Sequence, residues 1–333
     1  MRNDHLAPSR LRRAAIAATV VAALPLGARA QRSRPARVGW LGWTGAAGTS
    51  ASALVLAAFR GGLADRGWSE GKNLELLVRD GDGPRSAELA SELLKLDVDL
   101  LVAQGPMVFG AKTVSGSKPL VFSINGDPVL AGLVASLSRP GGALTGVTAL
   151  SGELAGKRLE LLKESMRKGS RVAVIANAIH PGVETERDAT QAAARSLGVA
   201  MTWYPLKSAA DLEAAFVAIA RDGTDALLAI PDNLINRQAR PIAEFATARR
   251  LPSISGWSEF VEAGNLLSYG PSVGAYYRQM AAMADRLLRG ARAADLAVEQ
   301  PREVEFVVNT KAARAIGLDL PAALLLRADR QID

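Results

Sequence analysis

The sequence predicts an α/β protein of two lobes, each a parallel sheet flanked by helices, with a cleft between them. Three observations carry this. The chain has 333 residues, of which 49% are apolar and 22% charged. Such a length usually divides into two domains, and such a balance supplies two buried cores rather than a disordered or fibrous chain. Short apolar runs alternate with longer helical patterns, and that alternation restarts after Leu150.

In the first half, residues 37–43 (RVGWLGW) read as a short buried strand and 44–50 as a small polar loop. Residues 51–66 place Leu54, Val55, Ala58, Phe59 and Leu63 at helical spacing, and Gly67 ends the run. A second strand is expected at 73–78 and a helix at 86–96. Asp97 and Val98 lead into a third strand at 100–103. Lys118 and Pro119 precede a fourth at 120–124; 129–137 reads as a short helix and 144–148 as a fifth strand.

In the second half, helices are expected at 152–166, 184–197, 210–221 and 237–249. Strands alternate with them at 170–176 (SRVAVIA), 200–204, 226–230 and 252–255. A strand at 266–269 and a long helix at 275–289 follow, then a strand at 305–308 and a helix at 310–316. Alternation of this kind buries parallel sheets between helices, with right-handed crossovers.

Ligands of parallel α/β sheets collect beyond the C-terminal ends of the strands. In the first half those ends carry Trp43, Thr44, Thr49 and Ser50, then Gln104 and Gly105, then Asn125 and Asp127. In the second half they carry Asn177 and His180, Asp232 and Asn233, and Trp257. Hydroxyl and amide groups at helix N-termini suit a carboxylate. Asp127 or Asp232 suits an amino group, and Trp43 or Trp257 an aromatic wall. Together they describe a pocket for a zwitterion such as an amino acid. Each residue type is also an ordinary turn or cap former, so the weight rests on their convergence.

The front of the chain reads as an export signal. Arg-Leu-Arg-Arg at 10–13 precedes an uncharged stretch from Ala14 to Leu26, and Ala28-Arg29-Ala30 forms an Ala-x-Ala-like site, so cleavage is expected after Ala30. The stretch is shorter than the roughly 20 residues that span a bilayer. Of the formal charge of +7, residues 1–30 hold +4 through five arginines against Asp4. The remaining +3 argues against a nucleic-acid binder.

Catalytic and cofactor signatures are missing. The absence of Cys excludes disulfides, zinc-thiolate sites and cysteine nucleophiles. Gly39, Gly42, Gly45 and Gly48 do not form a dinucleotide fingerprint, and neither a phosphate loop nor a G-x-S-x-G elbow occurs. No catalytic residue, cofactor or metal site is expected.

Several strings carry a family resemblance. They are Phe59-Arg60-Gly61-Gly62-Leu63, Gly67-Trp68-Ser69-Glu70-Gly71-Lys72-Asn73, Gly126-Asp127-Pro128-Val129 and Arg139-Pro140-Gly141-Gly142. Later come Lys157-Arg158-Leu159-Glu160-Leu161-Leu162, Glu259-Phe260-Val261-Glu262-Ala263-Gly264, Ser268-Tyr269-Gly270-Pro271 and Asn309-Thr310-Lys311-Ala312-Ala313. In these the chain resembles the exported substrate-binding proteins of ABC transporters related to the tryptophan/tyrosine-type binding proteins. The resemblance implies a type I periplasmic-binding-protein fold of two Rossmann-like lobes joined by three crossovers. It implies an N-terminal lobe of 37–149 plus 275–298, and a C-terminal lobe of 150–274 plus 299–333. It also implies a periplasmic monomer that delivers a small solute to a membrane permease. A solute sensor for a membrane receptor is the rival within the same fold, and an enzyme using the cleft the rival outside it. Two loops depart from the family's pattern, Gln104-Gly105-Pro106-Met107 and Asn177-Ala178-Ile179-His180-Pro181, and these bear on which solute is bound.

Overall fold

The computed structural model describes residues 34–43, 50–149, 151–166, 169–179 and 182–333. The expected leader with its cut at Ala30, and Thr44, Thr49 and His180, lie outside the described residues. No helix among the described residues is long and apolar enough to cross a membrane.

The first run of elements is β1 (Ala36–Trp43), α1 (Ser50–Ala64), β2 (Leu74–Gly81), α2 (Ser86–Lys95), β3 (Leu100–Gln104), α3 (Met107–Ser115), β4 (Leu120–Asn125) and β5 (Leu144–Ala149). Its five strands form one sheet in the order β2-β1-β3-β4-β5, parallel throughout. Every residue of β3 is buried, as a central strand covered on both faces requires.

The chain then builds α4 (Ser151–Ser165), β6 (Arg171–Asn177), α5 (Val183–Leu197), β7 (Ala200–Leu206), α6 (Leu212–Asp222), β8 (Ala226–Ala229), α7 (Asn233–Arg237), α8 (Ala239–Arg249), β9 (Ser253–Ser255), α9 (Ser258–Glu262) and β10 (Leu267–Pro271). After these come α10 (Val273–Leu288), β11 (Val304–Asn309), α11 (Thr310–Ala315), α12 (Ala322–Leu325) and β12 (Arg330–Ile332). The second sheet runs β7-β6-β8-β9-β10-β11-β12. Its first five positions repeat the strand order of the first sheet, so each lobe has its own switch point, at β1/β3 and at β6/β8.

Period-two burial assigns the faces. Val172 and Val174 face a core shared with α4, α11 and α12, whereas Ala173 and Ile175 face one shared with α6, α8 and Phe260 of α9. In the first sheet, Val38 and Trp40 point toward Phe59 of α1 and Met280 of α10, and Leu41 toward Leu93 of α2. Helix α10 follows the second lobe's β10 in sequence, yet it packs on the first sheet beside α1. Three stretches therefore cross between the sheets: Ala149 to Ser151, Pro271 to Val273, and the return through Glu299 to Val304.

Two features differ from expectation. Residues 129–137 form no helix. One turn closes through Ala131 N–H to Asp127 O at 3.0 Å, then Gly132 at φ +67° reverses the chain and sends Leu133 and Val134 into the core. Apolar spacing there mimics a helix because both residues are buried. The other difference is an antiparallel pair, β10 with β11. Val304 lies opposite Pro271, so β11 starts where β10 ends, and a strand entering from the crossing must run back along its neighbour. The sequence reading also lacked α3, α7, α9, α12 and β12, each of nine residues or fewer.

Glycine sets the α1–α10 distance. A Cβ on Gly62 would stand 2.7 Å from Ala281 Cβ and 2.9 Å from Arg278 Cα, whereas one on Gly61 would reach only the Arg278 guanidinium at 3.5 Å. Gly62→Val is expected to destabilise the fold by about 1–3 kcal/mol through overpacking, and Gly61→Ala to be neutral or to stabilise by up to about 1 kcal/mol. Urea unfolding of the two variants measures both; equal effects would contradict this packing.

Candidate functional site

A cavity of about 330 Å³ opens between the two sheets at the C-terminal ends of their strands. Its size falls at the lower end of the roughly 300–1,000 Å³ usual for small-molecule sites. Of the expected residues, Trp43, Gln104, Gly105 and Asn125 line it from the first lobe, and Asn177, Asp232 and Trp257 from the second. The structure brings these seven to one place because each ends or directly follows a strand of a sheet whose C-terminal edge faces the gap.

Ser50 and Asn233 open α1 and α7. Asp127 is turned toward its own loop: its Oδ1 accepts from Val129 N–H at 2.7 Å and Leu130 N–H at 3.3 Å, and it does not line the cavity.

The neutral polar groups of the cleft are largely committed to one another. Gln104 accepts from Trp43 N–H at 3.2 Å and donates to the Tyr277 hydroxyl at 2.7 Å. Asn177 Nδ2 donates to Asp232 Oδ1 at 3.0 Å, and the same oxygen accepts from Leu234 N–H at 2.6 Å, capping α7. Asn125 Nδ2 donates across the gap to Pro231 O at 3.3 Å. A Cβ on Gly126 would lie 3.3 Å from Gly182 Cα, a tight contact, and Gly126 takes φ +113°, so glycine suits this approach of the lobes.

The charged groups differ. Arg237, from α7 of the second lobe, lies over the Trp43 ring of the first at 4.6 Å, a cation–π contact across the cleft. Burial pulls its pKa down, and Asp232 opposes that shift. Arg237 forms no ion pair with a described carboxylate. Glu259 lines the cavity beside Trp257; its Oε2 is buried without a hydrogen-bond partner among the described residues, and burial raises its pKa.

Sequence reasoning missed Arg237 as a cleft residue, together with Phe109, Tyr276 and Tyr277. The tyrosine pair arrives on α10, a helical turn past the end of β10. Tyr276 donates to Val147 O at 2.7 Å, and burial raises its pKa well above the ordinary phenol value. Burial likewise pushes Tyr277 up to about 12, against hydrogen bonds to Ser123 and Gln104 that lower it. An aromatic pair at the start of an amphipathic helix reads as core, so little in the sequence could have flagged it.

Two α/β lobes joined by three crossings, with a desolvated cleft at both switch points, define a solute-binding protein of the type I periplasmic class. The chain belongs to the ABC transporter substrate binding protein family, which matches residues 50–332. A "Tyrosine-binding protein" of Clostridioides difficile (strain R20291) is 25% identical over 260 residues, which are 77% of this chain and 74% of that one. A conserved domain protein from Vibrio cholerae O1 biovar eltor has a crystal structure that matches with TM-score 0.82 at 25% identity, covering 90% of this chain and 100% of that one. The ABC domain from Streptococcus pneumoniae, solved in complex with L-Trp, matches with TM-score 0.81 at 22% identity over the same shares. The protein is thus the extracytoplasmic solute-binding component of an ABC importer: it binds a small solute, partners a membrane permease and is not a catalyst.

Tyr277 should ionise near pH 12 rather than at the ordinary value of 10, measured as the difference in tyrosinate absorbance between wild type and Tyr277→Phe. The folded state holds this proton more tightly than the unfolded chain does. The group's contribution to stability is therefore complete below pH 10 and is lost as pH rises toward 12. A difference spectrum that titrates near pH 10 would mean the cleft floor is solvated.

Proposed function

We propose that the importer component carries an amphipathic solute, an amino acid or small carboxylate with an aromatic or apolar body. Trp43, Gln104, Gly105, Asn125, Asn177, Asp232 and Trp257 are its contacts. The observation that carries this reading is the Arg237 guanidinium, partly buried in an aromatic-walled cavity and paired with no described carboxylate. A guanidinium matches a carboxylate's two oxygens in geometry and charge, and stacking on Trp43 holds it flat for that purpose. Phe109, Trp257 and Tyr277 offer apolar surface for the rest of the solute. The named ligands of the two relatives, tyrosine and L-Trp, are of this chemical kind. The leader is proposed to be removed after Ala30 and the exported chain to act in the periplasm as a monomer, with its lobes divided at 37–149 plus 275–298 and 150–274 plus 299–333.

Native mass spectrometry of protein purified without refolding, before and after mild denaturation, tests the reading. It is expected to release one intact carboxylate-bearing molecule per chain. Arg237→Gln should weaken binding of that molecule roughly 10- to 100-fold by calorimetry, the loss of a charge-assisted pair. Recovery of a chemically altered molecule, or unchanged affinity in Arg237→Gln, would contradict the reading.

A further inference from the structure

We propose that Arg158 is a positioning residue for solute capture: with Glu186 as its counter-charge, it holds in register two places where the second lobe meets the first, and so controls how readily the cleft closes. The inference goes beyond the preceding reading and holds whichever solute is bound.

Arg158 on α4 and Glu186 on α5 are each 1% exposed. Burial pulls the Arg158 pKa down to about 10, and the Glu186 charge is foremost among the groups that oppose this. A buried charge couple is weak evidence for stability, since apolar side chains of similar volume often serve as well or better. Its role is to be read from what it touches.

Arg158 lies against three successive strand ends of the second sheet. Its Nε donates to Tyr269 O of β10 at 2.8 Å. A Cβ on Gly256, just past β9, would stand 2.9 Å from Arg158 Nη2 and 2.7 Å from Pro231 Cβ. The guanidinium, the bare Gly256 backbone and the Pro231 ring, just past β8, are therefore in close succession. Pro231 O is the acceptor that Asn125 of the first lobe reaches across the gap at 3.3 Å. Trp257, a wall of the cavity, directly follows Gly256.

Glu186 leads to the second place. Its N–H donates to Gly182 O at 3.0 Å in the first turn of α5. Gly182 is the residue that Gly126 of the first lobe approaches. Both interlobe contacts thus lie one step from the same charge couple, Pro231 by way of Gly256 and Gly182 by way of the Glu186 backbone. Helices α4 and α5 pack side by side, so the couple fixes the spacing between the two. A planar guanidinium with a rigid fork of donors holds such a spacing; an ammonium on a flexible stem does not.

The chain has no Cys, so spin labels can be placed at will. Leu130→Cys in the first lobe and Val217→Cys in the second stand at sites 77% and 69% exposed. Pulsed dipolar spectroscopy of the free, full chain then reads lobe separation, and wild type is expected to show a short-distance, closed component. Arg158→Lys keeps the charge opposite Glu186 but loses the fork, and should lower the closed fraction at least about fivefold. Arg158→Met/Glu186→Met replaces the couple with apolar volume; it should melt at or above the wild-type temperature and still lack the closed component. Retention of closure in Arg158→Lys, or its recovery together with melting temperature in the double variant, overturns the inference and leaves the couple purely structural. Loss of closure only in step with loss of melting temperature overturns it as well, and so does a wild type without a closed component.

Discussion

Glu299 sits where the third crossing passes between the lobes, and its backbone extends the first sheet. Its N–H donates to Gly146 O at 3.0 Å and its C=O accepts from Thr148 N–H at 2.9 Å, so it bridges in parallel to Val147 at the edge of β5. Its carboxylate accepts from Gln279 at 2.7 Å and Arg302 at 2.8 Å, and pairs with Arg286 at 3.4 Å. On the same strand Val147 O receives the Tyr276 hydroxyl, and Ser272 N–H of the second crossing donates to Glu303 O of the third at 3.2 Å. The three crossings are thus tied side by side. This constraint aims both sets of strand ends at one gap, and it covers the edge strand β5 that would otherwise present unpaired backbone groups. With the crossings fixed, the lobes can differ in opening chiefly by bending there.

The repeat of one strand order in both lobes then does most of the positioning. Residues that end β1, β3 and β4 meet residues that end β6, β8 and β9, because each doubly wound sheet exposes its switch point on the same side. Two glycines contribute through close contacts near the cleft. Gly62 lets α10 sit close enough to α1 to bring Tyr276 and Tyr277 to the cleft floor, and Gly126 lets the lobes approach at Gly182.

The alternation of apolar runs made the strands and most helices legible, because β3 and β6 are buried on both faces and long helices show their spacing directly. Short elements were not: α9 is five residues and α12 four, too few for a period to show. The strings that carry the family resemblance turn out to be largely architectural. Asn73 accepts from Ser69 N–H at 2.7 Å and donates to Gly67 O at 2.9 Å, closing the turn between α1 and β2. Gly67 and Gly71 take φ of +86° and +78° in that turn, and Asn309 caps α11 through Ala312 N–H at 2.8 Å. Such motifs specify the scaffold and are silent on the solute. Strand-end logic located Gln104, Asn125, Asn177 and Asp232, but a charge inside a helix, such as Arg237, reads in sequence as a solvated face.

The contrast between neutral and charged groups in the cleft bears on how closure is coupled to binding. Gln104 and Asn177 have partners within their own lobes and Asn125 has one across the gap, so closing costs them little. Arg237 and Glu259 both belong to the second lobe, are desolvated in the cleft, and form no ion pair with a described residue. The Trp43 face offsets part of this for Arg237, roughly 0.5–2 kcal/mol by the usual range for such contacts. Glu259 receives no such compensation from a described side chain. Under the proposed function, a solute carboxylate meets Arg237 in the closed arrangement and offsets its loss of water. Its differential affinity for that arrangement is what shifts the population toward it, which is the property a permease must be able to sense.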